Sequence, residues 1–177
     1  MNLSNEEFFE ISSELDNFHG IFYKLWLIGK PIFDESIPTA EVRFDLEGRC
    51  VSFLFNPNFW ESLCEKERLF VICHEMLHIL LEHGVRISNI NNLNKSYNKA
   101  LDVVVNHLLV NSFGFERLEL PWVNKNGCWV DTVFPDMDID DNECFEYYYG
   151  LLLNDENENK NGENGENGGN GNGKILD

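Results

Sequence analysis

Three ionisable side chains interrupt the most apolar stretch of this chain, and they constrain its fold more than any other feature. From Leu69 to Leu81 the sequence is apolar nearly all round, the mark of a helix that lies deep in a domain, yet it contains His74, Glu75 and His78. Burying such groups is costly unless something compensates them. The fold must therefore bring partners to one face of this helix. Within His74-Glu75-Met76-Leu77-His78 the two histidines are four apart, so their imidazoles project to one point. Two neutral imidazoles at that spacing suit a divalent metal, zinc above all, which favours nitrogen donors and a tetrahedral shell. Glu75 sits one position round. From there it can take a proton from a metal-bound water, releasing hydroxide to attack a peptide carbonyl, which makes it the expected catalytic residue. Two ordinary histidines on a solvated helix face are the plainer reading, and the apolar setting argues against it.

A catalytic zinc takes three protein ligands and leaves a place for water. Asp102 and His83 are the candidates for the third. On a continuous helix His83 lies about 180° round the axis from His74, pointing away. An early end to the helix and a sharp turn would bring it back, but Ile79-Leu80-Leu81-Glu82 contains no breaker. Asp102 is favoured on geometry. Within Leu101 to Leu109 it shares one face of an apolar helix with Asn106, four residues on. Asn106 is then expected to hold a ligand in place from outside the metal shell. His107 lies off that face and reads as an ordinary, partly exposed histidine.

The remaining pattern is α+β. Ser4 and Glu7 form a capping box before a helix from Phe8 to Ile28, which Gly29-Lys30-Pro31 ends. Thr39–Leu46 and Cys50–Phe55 flank Glu47-Gly48-Arg49 as a β-hairpin, and Asn56-Pro57-Asn58 stops its second strand. That second strand leads into the motif helix and is the candidate edge for pairing with an extended substrate. A helix is expected from Trp60 to His83, with Gly84 as its stop. Asn89 to Asn94 form a loop, and a further helix spans about Tyr97 to Val110. Residues 111 to 142 read as irregular. A last helix near Glu143 to Leu153 carries Tyr147, Tyr148 and Tyr149, an aromatic run that reads as packing and is assigned no catalytic part.

At 177 residues, 43% of them apolar, the chain suits one domain with a real core, expected over residues 1–154. Residues 155–177 are rich in Asn, Gly and Glu and are expected to be a disordered acidic tail. The net charge of -18 is too large for the tail alone, so the body is acidic as well. Such a surface repels phosphate backbones and anionic lipid, which argues against nucleic-acid and membrane partners and is compatible with a basic peptide or protein substrate. The five cysteines form no C-x-x-C pair and read as reduced, mostly buried thiols. With no basic leader and no long apolar run, a soluble cytoplasmic protein is expected.

Several of these residues carry a resemblance. Phe55-Asn56-Pro57, the HExxH run from His74 to His78, His83, Arg86, and Ala100-Leu101-Asp102 with Asn106 together resemble the Putative metallopeptidase domain family. This domain often precedes a von Willebrand-A-like domain in bacterial and phage proteins. The resemblance covers roughly residues 38 to 110, with a weaker echo in the Tyr-rich helix. It implies a zincin-like α+β fold, a zinc ion and a peptidase activity. It also implies that His83 matters, which keeps that residue in play as third ligand. A zinc hydrolase of peptides is thus the first expectation. A catalytically silent zinc-binding adaptor domain is the alternative, and four protein ligands on the metal would favour it.

Overall fold

The architecture is taken from a computed structural model that describes residues 3–44, 51–83 and 95–165, the last ten as backbone only. The N-terminal helix α1 (Asn5–Phe18) begins at the expected capping box: Ser4 Oγ accepts the Glu7 N–H at 3.2 Å, and the Glu7 carboxylate accepts the Ser4 N–H at 3.0 Å. It does not run on to Ile28. His19 is extended (φ -163, ψ 119) and serves two helices at once. Its N–H closes α1 on the Leu15 carbonyl at 2.9 Å, and its Nδ1 accepts the Ile21 N–H at 3.4 Å to open α2 (Gly20–Ile28). The break packs α2 against α1. Trp26 is thereby buried in stacking contact with Phe8 and Phe53, its Nε1–H donated to Ser12 Oγ at 3.1 Å. Each fully buried ring such as Phe22 or Phe53 stabilises the fold by about 1.5–3 kcal/mol.

Gly29-Lys30-Pro31 does more than stop a helix, because it opens strand β1 (Gly29–Phe33). With β2 (Ala40–Phe44) and β3 (Val51–Phe55) it forms a three-stranded sheet in the order β1-β3-β2. The expected pairing of β2 with β3 is present and antiparallel, while β1 joins β3 in parallel. The hairpin turn itself lies outside the described residues. Pro31 is tolerated because β1 is an edge strand. Gly29 is required by close approach: a Cβ there would fall 2.0 Å from the Phe53 ring. One consequence corrects the sequence reading. The second hairpin strand, β3, is paired on both sides and cannot offer an edge; β2 does.

The helix expected from Trp60 to His83 is two helices, α3 (Pro57–Ser62) and α4 (Glu65–Leu80). Asn56 starts the first, its Oδ1 accepting the N–H groups of Asn58 (2.9 Å) and Phe59 (3.1 Å), with Pro57 in the first turn. Glu67 starts the second by accepting the Cys64 N–H at 3.1 Å. The same carboxylate, only 1% exposed, accepts the N–H groups of Trp122 (2.6 Å) and Val123 (3.0 Å). Those two residues open α6 (Pro121–Asn126), so one buried acid ties two helix starts together.

Helix α5 (Lys95–Phe113) packs against α4 and against α8 (Phe145–Gly165). The segment expected to be irregular holds a 3-10 turn (Arg117–Glu119), α6 and the short α7 (Val130–Val133). A second apolar cluster joins α5, α7 and α8 through Ala100, Val103, Val130, Tyr148 and Leu152. Tyr148 is buried there and donates its hydroxyl hydrogen to the Asp140 carbonyl at 2.8 Å. Helix α8 continues past Leu153 to Gly165, into residues expected to be disordered; residues 166–177 lie outside the described part. Among the described residues no helix is long and apolar enough to cross a membrane.

Glu67→Ala removes three charge-assisted hydrogen bonds and leaves buried N–H groups without their partner. It is expected to lower stability by about 3 kcal/mol. Urea unfolding of the purified chain measures this, and an unchanged midpoint and slope would contradict the role given to Glu67.

Candidate metal centre

Helix α4 carries His74 and His78 one turn apart, and α5 carries Asp102 and Asn106 one turn apart. Because α4 and α5 pack directly, the two faces meet. The Nε2 atoms of His74 and His78 are 2.9 Å apart, and Asp102 Oδ1 lies 3.6 Å from the first and 3.4 Å from the second. Among the described residues, His74, His78 and Asp102 form the group able to hold a metal ion, with donor atoms all within 4.8 Å of one another. The separations fit a metal. Two nitrogen or oxygen donors on a tetrahedral ion such as zinc stand about 3.3 Å apart.

The outer faces of the imidazoles are also engaged. His74 Nδ1 lies 2.8 Å from Asn106 Oδ1. The Asn106 amide is itself oriented, since its Nδ2 donates to the Cys128 carbonyl at 2.9 Å. Its Oδ1 is therefore turned toward His74 as an acceptor, and His74 carries a hydrogen on Nδ1 while Nε2 faces inward. The sequence reading expects Asn106 to hold a ligand from outside the metal shell, and Asn106 lies against the outer nitrogen of His74. His83 is placed otherwise. Helix α4 ends at Leu80, and Glu82 adopts a left-handed conformation (φ 55). That turn swings His83 back, but to the far side of His78, where the two Nδ1 atoms lie 2.8 Å apart. It touches a candidate ligand rather than the point where the donors converge.

Electrostatics follow from burial. Desolvation pushes the Asp102 carboxyl upward, but hydrogen bonds to His74 and His78 outweigh it and hold Asp102 well below the usual carboxylate range. For His74, burial opposes the charged form and the contact with Asp102 more than offsets this, so the imidazole titrates above its ordinary value. Glu75, 7% exposed, is raised chiefly by burial, against the pull of the two histidines. Cys128 was not foreseen at the site. Burial, then the Asp102 carboxylate, push its thiol up to about 12, and its Sγ lies 4.0 Å from Asp102 Oδ2.

The site opens into a cleft with two lobes. One, of about 200 Å³, is walled by Phe59, Phe70, Val71, Trp122 and Val123 beside His74. The other, of about 500 Å³, is bordered by Glu41, Val42, His78, His83 and Leu101. Thr39, Ala40, His74, Glu75 and Asp102 line both, so the start of β2 runs along the cleft. Among the described residues, the carboxylates in the lining are Glu41, Glu75 and Asp102, and no Lys or Arg takes part.

The other expected positions fall elsewhere. His107 is buried rather than partly exposed, its Nε2 accepting the Val130 N–H at 3.1 Å where α7 begins. The tyrosines of α8 do not line the cleft. Of the four described cysteines all are free; Cys64 and Cys144 are exposed rather than buried. Gly84, Arg86, Cys50 and the loop from Asn89 to Asn94 lie outside the described residues.

Asp102 holds the His74 proton to higher pH than an isolated histidine, near 6.5, would keep it. A protonated imidazole cannot ligate, so metal uptake should weaken as pH falls, beginning above about 6.5. Titration of the metal-free chain with zinc between about pH 5 and 8 checks this; affinity that stays constant over that range would contradict it.

No curated protein and no solved structure matches the chain. A family model described as Putative metallopeptidase domain matches residues 39–174, which takes in β2, the HExxH helix, α5 and the Tyr-rich helix α8, well beyond the segment that carried the resemblance. By that match over most of its length, the chain belongs to the Putative metallopeptidase domain family.

Proposed function

We propose that this protein is a zinc-dependent, zincin-like peptidase, with His74, His78 and Asp102 as metal ligands and Glu75 as general base. The observation that carries the reading is the triangle of two Nε2 atoms and one carboxylate oxygen, with buried Glu75 beside it in an accessible cleft. Zinc suits a donor set of two imidazoles and one carboxylate, and when bound there it would polarise a scissile carbonyl and acidify water. Glu75 takes the proton of the attacking water and returns it to the leaving amine. Its raised carboxyl pKa favours both halves of that exchange. Asn106 fixes His74 throughout.

Substrate binding follows from the sheet. Among the described residues β2 is paired on one side only and runs along the cleft, so its other side would suit an extended peptide. The acidic lining favours a basic peptide or protein. The smaller, aromatic-walled lobe accommodates an apolar side chain. The alternative, a silent zinc adaptor, predicts a fourth protein ligand, and the placement of His83 against His78 Nδ1 speaks against it. Free thiols at all four described cysteines support a reducing compartment such as the cytoplasm.

The purified chain should hold about one zinc ion, lost on His74→Ala. Glu75→Gln should keep the metal and lower cleavage of a basic peptide panel, read by mass spectrometry, by about 10²–10⁴-fold. Undiminished cleavage by that variant would rule out Glu75 as base, and a chain without metal would remove the central assignment.

A further inference from the structure

The Nδ1 atoms of His78 and His83 lie 2.8 Å apart, with ring planes at 71°. At that distance one nitrogen must carry a hydrogen and the other a lone pair, because two lone pairs repel and two N–H groups collide. The direction is set at the opposite end of His78. Its Nε2 faces His74 Nε2 at 2.9 Å and Asp102 Oδ1 at 3.4 Å, where the donors converge. A ligating nitrogen must be bare, and a metal held between the two Nε2 atoms would take the place of the hydrogen that must otherwise sit there. The hydrogen of His78 therefore belongs on Nδ1, and His83 receives it.

We propose that His83 is a positioning residue of the metal centre: it accepts the His78 Nδ1–H and so fixes the tautomer and ring orientation that aim Nε2 at the metal. The proposal rests on the metal reading given above and adds to it. His83 then does for His78 what Asn106 does for His74, so each imidazole has its own outer acceptor. Burial supports the arrangement, since His83 is 3% exposed and solvent does not compete for the hydrogen. Backbone geometry supports it too. A continued helix would carry His83 to the opposite face from His74, and the left-handed Glu82 is what returns it. A positive φ at a non-glycine residue persists only where the surroundings demand it, and such residues cluster at functional sites.

The test is zinc affinity of the full chain, measured by competition with a chromophoric chelator, for wild type, His83→Leu, His83→Asn, His83→Gln and His74→Ala. His83→Leu should weaken binding by about 10–100-fold. His83→Asn places an oxygen near the position of Nδ1 and should restore most of the loss; His83→Gln carries its oxygen further out and should not. Nitrogen-15 NMR of the imidazoles in the zinc-free chain should show His78 protonated at Nδ1 in the wild type, with both tautomers populated in His83→Leu. Wild-type affinity in His83→Leu would overturn the proposal while leaving the metal centre intact. A loss equal to that of His74→Ala would also overturn it, by making His83 a ligand. A wild type that takes up no zinc would sink the metal reading and the proposal together. If His83→Leu does not fold, the comparison of Asn with Gln decides: equal affinities overturn the proposal, and tighter binding by Asn supports it.

Discussion

An imidazole can offer its Nε2 lone pair inward only when its Nδ1 carries the hydrogen and something outside accepts it. A run of buried contacts in this molecule meets that condition. For His74 the acceptor is Asn106, which is held by the Cys128 carbonyl, which in turn belongs to the segment joining α6 to α7. That segment is anchored at both ends: Glu67 caps α6, and His107 caps α7. The chain of contacts begins on α4, passes through the segment after α5 and returns to α4.

Burial explains why the arrangement must be so complete. An unpaired charge or polar group inside this core would cost several kcal/mol. Asp102 escapes that cost by lying against two imidazoles, and its depressed pKa records the balance. Glu75 has no comparable set of hydrogen bonds among the contacts found at the site, and burial raises its pKa instead. Two carboxyl groups on neighbouring helices are thus driven in opposite directions. That divergence is the condition under which one can serve as a ligand and the other as a base.

Much of the candidate site was legible in the sequence because it depends on spacing along helices. A separation of four residues places His74 with His78 and Asp102 with Asn106 whatever else the chain does. His83 was harder to place. Its position depends on one residue, Glu82, adopting a backbone conformation that its side chain does not announce. The fold was readable at the capping box of Ser4 and misread at the less conventional helix starts; Asn56 reads as a strand stop, and it also caps α3. Cys64 followed by Glu67 starts a helix through a carboxylate that also serves a distant segment, and His19 both ends and begins one. Gly29-Lys30-Pro31 reads as a helix stop, because glycine and proline usually mark one, yet it opens β1. Missing β1 gave the edge of the sheet to the wrong strand. Cys128 carried no signal, since its importance lies in its main-chain carbonyl.

The double duty of Glu67 has a mechanical meaning. Trp122 and Val123 form one wall of the smaller lobe, and their backbone is fastened to the base of the very helix that presents His74. That wall and the histidines of α4 are thus braced against each other by one buried carboxylate. On the opposite side lies β2, which among the described residues is held by one sheet ladder and its packing on α4. A guest entering such a cleft would meet its less braced side at the strand, so differences in guest size would be taken up away from the spacing of His74, His78 and Asp102.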